Sequence, residues 1–428
     1  MSADTLATAS RSAWGADIEP LLERLDRDGE SLVARAESWS AINSGSFELP
    51  GLAAMRATLL DTVSELPAAP EAIDLQPSQR VRPDGEVIDV QHGASIRVRV
   101  RPDAPIQVAL TGHYDTVFPA SHPFQAPWRE GEVLRGPGVA DMKGGIAVML
   151  AALQAYEQLP GEKRVGYEVL LSPDEEIGSM GSAPLLAALG KRAHLGMTYE
   201  PAMADGALVD QRKGSANFHL AVRGRAAHVG RAFDDGCSAV IAAAEAALAL
   251  NKLNGQRDGV TFNVGAIDGG GAVNVVPERA VLRFNIRVPD AESAIWAEAE
   301  VRRIAREADA RDGIDAHLHG GFTRPPKPLN DQQRTMVSWT RQAGAVLGLD
   351  LQFRPSGGVC EGNNLAAAGC PNIDTLGPCG GGLHSDEEFA VISSFAERAK
   401  LSFLLLAGVE RGVFDLRSLR PRAHQATT

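Results

Sequence analysis

Cysteine and net positive charge are scarce in this sequence. Its 428 residues include four cysteines with no CxxC pair, which are too few for a disulfide scaffold and fit structural thiols in a reducing compartment. The formal net charge is −12, so the chain has no cationic excess with which to neutralise a nucleic acid or an anionic membrane. We therefore expect a small molecule or a short peptide as ligand, and neither nucleic acid nor membrane as partner.

Long apolar runs are absent as well. One of the longest, LSFLLLAGV at residues 401–409, is less than half of the roughly 20 residues that a membrane-spanning helix needs. The N-terminal stretch MSADTLATASRSAWGADIEP has no basic region followed by an apolar core, which is the pattern of a secretory signal. These absences predict a cytoplasmic protein.

Helical and strand patterns alternate along the chain, with one interruption. The alternation over the first half is typical of an α/β domain. From about Lys213 the pattern changes to four alternating strands and two long helical stretches, which suits one sheet covered by two helices. After the proline-rich TRPPKPLN the α/β pattern resumes. We predict a discontinuous α/β domain, residues 1–211 and 325–428, with an α+β domain, residues 212–324, inserted into it.

Histidines and acids recur where predicted strands end. The segment VALTGHYDTV, for example, places His113 and Asp115 two residues apart after an apolar run, on one face of the chain. Alone, such a histidine is more often a hydrogen-bonded structural residue, and such an acid is more often solvated. Together they point to one edge, because ligands of an open α/β sheet bind beyond the carboxyl ends of its strands. A helix is predicted just after His384, since Ser385 and Glu388 have capping-box spacing. The full set is His113, Asp115, Asp141, Glu175, Glu176, Glu200 and His384.

The adjacent glutamates in SPDEEIG suggest hydrolytic chemistry. Two histidines and three carboxylates can hold two divalent ions of the zinc type, with one carboxylate bridging. Hydrolysis then needs a separate base that takes a proton from water and returns it to the leaving nitrogen. One of Glu175 and Glu176 would bind metal and the other would be the base, and the spacing leaves open which is which. Asp115 is suited to accept a hydrogen bond from the imidazole of His113.

Seven segments in order resemble the peptidase M20 family of metallohydrolases, in particular its glutamate carboxypeptidase and acetylornithine deacetylase-like branch. They are GHYDTVFP, GPGVADMKGGIA, SPDEEIGS, YEP, GRAAHVG, NVVPERA and GPCGGGLHSDEEF, and the resemblance runs from about Glu37 to Leu406. It implies a di-zinc aminopeptidase/carboxypeptidase-like catalytic domain, with a mixed sheet between helices, and an inserted α+β domain that serves as lid and dimerisation surface.

The resemblance also implies roles for the strand-end residues. Glu175 would be the general base that activates a metal-bridging water, Asp115 would be the partner of His113, and the peptide bond after Asp141 would be cis. Two Zn²⁺ ions are implied, with Co²⁺ or Mn²⁺ possible in their place. Their ligands would be His113, Asp141 and Glu200 for one ion, and Asp141, Glu176 and His384 for the other.

For the inserted domain, the resemblance implies a homodimer formed through residues 212–324. In GRAAHVG, His228 would reach the partner subunit's site and polarise the scissile carbonyl, whereas the sequence by itself suggests a surface histidine. Asn274, Arg287 and Gly358 match substrate-binding positions, although Arg287 also fits an ion pair on a strand surface. Relatives commonly have Ser-Asp-Gly-Asn where this chain has Cys360-Glu361 before Gly-Asn, which leaves the substrate's identity open.

The sequence therefore predicts a zinc-dependent hydrolase that cleaves a peptide or N-acyl amide bond next to a free carboxylate, as glutamate carboxypeptidases do. An N-acyl-amino-acid deacylase of the acetylornithine deacetylase type is the alternative. A metal-binding regulator without catalysis is a more distant one, and an intact Glu175 argues against it.

Overall fold

The computed structural model describes residues 13–419 of the chain. Ten α-helices lie within this range: α1 (Glu19–Arg27), α2 (Gly29–Ser40), α3 (Leu49–Val63), α4 (Lys143–Glu157), α5 (Ala183–Arg192), α6 (Ala239–Asn251), α7 (Ala291–Asp309), α8 (Asp331–Val346), α9 (Glu361–Ala367) and α10 (Ser394–Glu410). None of the helices in residues 13–419 is both long and apolar enough to cross a membrane.

The same range contains nineteen strands. They are β1 (Glu71–Ile73), β2 (Ser78–Val81), β3 (Val87–Val90), β4 (Ser95–Val100), β5 (Ile106–His113), β6 (Trp128–Glu130), β7 (Val133–Arg135), β8 (Val165–Ser172), β9 (Leu195–Thr198), β10 (Ala202–Met203), β11 (Leu208–Arg212), β12 (Gly214–Arg223), β13 (Thr261–Gly269), β14 (Arg279–Val288), β15 (Asp315–Arg324), β16 (Phe353–Ser356), β17 (Asn372–Ile373), β18 (Cys379–Gly381) and β19 (Phe389–Val391).

The largest sheet has six strands in the order β1–β4–β8–β5–β9–β17. Strands β8, β5, β9 and β17 run parallel to one another; β4 pairs antiparallel with β8, and β1 pairs antiparallel with β4. Strand β8, VGYEVLLS, is buried along its whole length. A parallel strand inside a sheet is covered on both faces, so it needs a nearly continuous apolar run.

Helices cover both faces of this sheet. Helix α4, KGGIAVMLAALQAYE, is apolar nearly all round and packs between α2, α10 and β5, as a helix without a polar face must. On the other face, α5 and α9 pack against Ala109 of β5 and Leu170 of β8. Two layers of helices therefore enclose the sheet, and its strand ends are left as the open edge.

Strands β12 to β15 form a separate antiparallel sheet in the order β13–β14–β12–β15. Helices α6 and α7 pack on it and close a second apolar core. Helix α7 starts after Asp290, whose side chain accepts a hydrogen bond from the Ser293 amide, as expected of a helix N-cap. The four strands and two helices predicted for this inserted region are all present, and the fold class is confirmed. The domain limits at residues 212 and 324 stay a prediction.

The prediction of a helix just after His384 is wrong. Residues 385–388 form a turn that leads into β19, which pairs with β7 and β18. Glu388 does not cap a helix locally, because its Oε1 accepts hydrogen bonds from the amides of Ala140 and Asp141, at 3.0 and 3.1 Å. Capping-box spacing is a local signal, and here distant backbone amides use the carboxylate instead.

Candidate metal centre and active-site cleft

Parallel strand order brings the strand-end residues to one edge. His113 is the last residue of β5, the Glu175-Glu176 pair follows β8 on one side, and Glu200 follows β9 on the other. Asp141 stands before α4, whose start packs closely on β9: a Cβ at Gly145 would lie 1.9 Å from the carbonyl oxygen of Tyr199. Only glycine fits there. The peptide bond between Asp141 and Met142 is cis, as the resemblance implied.

Asp141 lies between two histidines. Its Oδ1 is 3.0 Å from Nε2 of His113, and its Oδ2 is 3.4 Å from Nε2 of His384. Nε2 of His384 is also 3.1 Å from Oε2 of Glu176, and Nε2 of His113 is 3.8 Å from Oε1 of Glu200. The five predicted ligands thus form two groups that share Asp141. His384 is the outermost, with 57% of its side chain exposed.

The donor set fits divalent metal. Ligand atoms of His113, Asp141 and Glu176 all lie within 4.8 Å of one another. Oε1 of Glu200 is buried and has no hydrogen-bond partner among the described residues. Burial raises the pKa of Glu176 to about 8, with the charge of Asp141 adding to the effect, and burial also raises the pKa of Glu200 well above its usual range. A cation at this position would offset the crowding of negative charge.

Asp115 ties the centre to the acidic loop after β8. Its carboxylate accepts hydrogen bonds from the amides of Glu175 and Glu176, both at 3.1 Å, and from the hydroxyl of Ser46 at 2.7 Å. Oδ1 of Asp115 is also 3.3 Å from Nδ1 of His113. One buried carboxylate therefore orients an imidazole and fixes the backbone of both glutamates.

Glu175 has a partner that the sequence did not indicate. Its Oε1 accepts a hydrogen bond of 2.7 Å from Nη2 of Arg324, and the side chains of both residues are at least 90% buried. Arg324 is the last residue of β15, 149 positions further along the chain. The sequence analysis placed Arg324 in the proline-rich TRPPKPLN, and no sequence signal pointed to this contact.

A cleft of about 390 Å³ opens beside the centre. It exposes Asp141, Glu175, Glu176, Glu200 and His384, together with two of the predicted substrate-binding residues, Arg287 and Gly358. Arg287 is half-buried, and burial lowers its pKa. Its Nη1 donates to the carbonyl of Gly357 at 3.3 Å. The ion pair that was its alternative role is absent among the described residues.

Arg212 also lines the cleft, and the sequence analysis did not identify it. Its Nε and Nη2 donate to the two carboxylate oxygens of the buried Asp374, at 2.8 and 3.0 Å. Lys327 binds the same carboxylate at 2.7 Å. No motif of the sequence analysis singled out Arg212.

His228 and Asn274 are not brought into the cleft of their own chain. Both are exposed, and neither lines the cleft. They lie side by side in two loops of the inserted unit, where the amide of Val229 donates to the carbonyl of Asn274 and Nδ1 of His228 accepts from the amide of Gly230. Within residues 13–419, neither side chain contacts a candidate metal ligand.

An α/β sheet that gathers buried acids and histidines at its open edge, beside a cleft, is typical of metal-dependent hydrolases. Residues 109–407 match the model of the family described as Peptidase family M20/M25/M40, and the chain belongs to this family. It is a hydrolase that acts on amide or peptide bonds, in keeping with this family and with a relative named carboxypeptidase.

Two relatives and one solved structure illustrate the similarity. Carboxypeptidase G2 of Pseudomonas sp. strain RS-16 is 28% identical over 329 residues, covering 75% of this chain and 78% of its own. Succinyl-diaminopimelate desuccinylase of Bordetella pertussis strain Tohama I is 29% identical over 385 residues, 82% and 99% of the two chains. The Bacillus subtilis YXEP protein, described as a dinuclear metal binding peptidase, superposes with a TM-score of 0.58 at 17% identity, covering 89% and 98%. The last similarity concerns the fold alone.

Proposed function

We propose that the chain cleaves a peptide or N-acyl amide bond next to a free carboxylate of its substrate. The observation that carries this proposal is the position of Asp141 between His113 and His384, with Glu175 opening onto the same cleft. This arrangement supplies metal ligands and a separate base, the two parts that amide hydrolysis requires.

Two Zn²⁺ ions are the proposed cofactors, and Co²⁺ or Mn²⁺ are possible substitutes. His113, Asp141 and Glu200 would hold one ion, and Asp141, Glu176 and His384 the other. When bound, such ions supply Lewis-acid chemistry that polarises a carbonyl and makes water more acidic. The two groups of ligands that share Asp141 support the count of two ions.

Glu175 is the proposed general base. Its Oε1 is held by Arg324, while its Oε2 accepts no hydrogen bond from any described residue and is free to take a proton. Glu175 would accept this proton from the attacking water and return it to the leaving nitrogen. Asp115 would keep His113 in one orientation by accepting from its Nδ1 side.

Recognition of the free carboxylate is assigned to Arg287 and the backbone around Gly358. A guanidinium can bind a carboxylate through two parallel hydrogen bonds, and Arg287 faces the cleft with part of its donor set uncommitted. Arg212 also lines the cleft, with its guanidinium paired to Asp374. The name carboxypeptidase, carried by one relative, fits a substrate whose scissile bond adjoins a terminal carboxylate.

His228 and Asn274 are proposed to act across a homodimer formed through residues 212–324. Their distance from the cleft of their own chain is the reason to look for it in a partner. At a partner's site, the imidazole of His228 would donate to the oxygen of the scissile carbonyl as negative charge develops there. We also propose a cytoplasmic location, on the cysteine usage alone.

An N-acyl-amino-acid deacylase is the second candidate, and the desuccinylase name of another relative favours it. Both reactions cut an amide next to a carboxylate, and they differ in the group beyond the carbonyl. The test is a screen of the zinc-loaded protein against dipeptides and N-acyl amino acids that vary on both sides of the bond. Cleavage of dipeptides with acidic C-termini supports the first candidate, and exclusive cleavage of short-chain acyl amides supports the second. No hydrolysis of either class would refute both candidate substrate classes.

A further inference from the structure

Glu175 is held at both its backbone and its side chain. Its amide donates to Oδ1 of Asp115 at 3.1 Å. Nη2 of Arg324 donates to the Glu175 carbonyl at 3.1 Å and to its Oε1 at 2.7 Å. These contacts leave Oε2 as the carboxylate oxygen that can still accept a proton. A base works best when the oxygen it uses is aimed by contacts to the one it does not use.

Arg324 is aimed by a break in its own strand. Along the pairing of β15 with β12, Phe322 lies opposite Ala216 and Arg324 opposite Ser215, so Thr323 is an extra residue. Such a bulge re-aims the side chain that follows it, since strand side chains alternate between faces. The Thr323 carbonyl accepts from Nδ2 of Asn364 at 3.2 Å.

Asn364 completes this arrangement. Its Oδ1 accepts from Nη1 of Arg324 at 2.8 Å while its Nδ2 binds the bulge, so one side chain fixes both the backbone and the guanidinium. The preceding residue, Asn363, donates to the carbonyls of Lys213 and Pro325 at 3.0 and 2.7 Å. Both segments that connect the inserted unit to the rest of the chain are thus anchored on the start of α9, one of them at Pro325, the residue after Arg324.

The charges nearby favour the pairing with Glu175. A second carboxyl group, Glu361, is buried close to Arg324 and contacts the hydroxyl of Ser172. Burial raises the pKa of Glu361 to about 8 and so favours its neutral form. The guanidinium of Arg324 cannot lose its proton in this range. Its positive charge is therefore matched by Glu175.

From this geometry we propose that Arg324 is a positioning residue for Glu175, supplied by the inserted unit and set in place by the β15 bulge and Asn364. The proposal rests on the proposed function, because it assumes that Glu175 is the base. It also gives the inserted unit a role within its own chain, separate from any role of His228 in a partner.

The test compares Arg324→Gln, Arg324→Lys and Asn364→Ala in the metal-loaded protein. We expect Arg324→Gln to lower kcat by about thirtyfold with KM changed by less than about twofold, since positioning of the base matters mainly in the transition state. Arg324→Lys should recover part of this loss because it keeps a charged donor. Asn364→Ala should give a smaller loss without removing the charge, and it serves if Arg324→Gln folds poorly.

Arg283→Lys is the matched control. Arg283 lies on β14 of the same sheet, pairs with Asp268 and donates to the Val81 carbonyl, but it does not line the cleft. Its variant should keep the parent kcat. Metal content and thermal unfolding are measured for every variant, so that a loss caused by emptied metal sites or unfolding is separated from a loss of positioning.

A double variant gives the deciding measurement. If Arg324 acts through Glu175, then Glu175→Gln with Arg324→Gln should be no slower than Glu175→Gln alone. If the double variant shows the product of the two single losses in kcat, the proposal is overturned. A raised KM with unchanged kcat in Arg324→Gln would also overturn it, because that result marks a substrate-binding arginine. A loss that only follows metal content or the unfolded fraction would overturn it as well. Full activity of Glu175→Gln, by contrast, would refute the proposed function itself.

Discussion

The two units of this protein present their polar residues in opposite ways. At the open edge of the six-stranded sheet, His113, Asp115 and Asp141 are buried and each contacts at least one other site residue. In the inserted unit, His228 and Asn274 are exposed and touch only their own loops. The first region is organised within one chain. From the second region, Arg324 reaches the first and contacts Glu175.

This difference has a physical basis. A buried carboxylate without a partner is costly, so every acid at the sheet edge needs a hydrogen bond, a cation or a proton. An exposed histidine has no such requirement because water satisfies it. The acids at the sheet edge therefore need partners within the folded chain to offset their desolvation. The exposed side chains in the outer loops of the inserted unit are solvated and carry no such free-energy cost. The predictions below test this contrast, from the largest expected effect to the smallest.

Removal of metal should have the largest effect. Because all five candidate ligands belong to the sheet-edge region, treatment with a chelator should lower hydrolysis by about a thousandfold or more, and Zn²⁺ or Co²⁺ should restore it. Elemental analysis should give two ions per chain in the active form. A metal-free preparation with full activity would show that the buried edge is only a structural cluster.

Substitution of each of the neighbouring glutamates should have a different effect on metal content and kcat. Glu175→Gln keeps the size of the side chain but cannot take up a proton, so we expect near-normal metal content and a kcat lower by about a hundredfold. Glu176→Gln should instead lose metal, since its Oε2 lies beside His384. The two variants are matched controls for each other, measured by elemental analysis and steady-state kinetics. If Glu175→Gln also loses metal, the roles are misassigned.

Substitution of His228 tests whether the exposed residues of the inserted unit take part in catalysis. His228→Ala should lower kcat by about ten- to a hundredfold, with little change in KM, if the imidazole stabilises the developing oxyanion. The loss should be complemented between chains: mixing His228→Ala with Glu175→Gln under conditions of verified subunit exchange should restore activity in heterodimers that hold one intact site. Exchange without recovery would confine His228 to its own chain or to no role.

Arg287 should give the smallest effect. Arg287→Lys keeps the charge but loses the forked donor geometry, so KM for a carboxylate-bearing substrate should rise by about tenfold with kcat changed less. For an analogue in which an amide replaces the carboxylate, the parent and the variant should have similar KM values. Equal effects on both substrates would remove Arg287 from carboxylate recognition.

Much of the sheet-edge region could be anticipated because its signals are local. Apolar runs such as VALTG and VLLS mark buried strands, and the polar residues that follow them fall at one edge whenever the strands are parallel. The family resemblance, not the spacing, distinguished Glu175 from Glu176. The capping-box spacing after His384 failed for the converse reason, since the Glu388 carboxylate binds backbone amides some 250 residues earlier in the chain.

The sequence by itself determined the α/β class, the inserted four-stranded unit and the set of candidate ligands, because strand and helix periods and strand-end chemistry are written in neighbouring residues. Only the tertiary structure decided the partners of those residues. The contacts of Arg324 with Glu175 and of Arg212 with Asp374 join positions 149 and 162 residues apart. The contact of Arg324 with Glu175 depends on how the inserted unit meets the sheet edge, and a one-residue bulge such as that at Thr323 is enough to redirect a side chain. The periodic patterns of the sequence do not encode how the two units pack together.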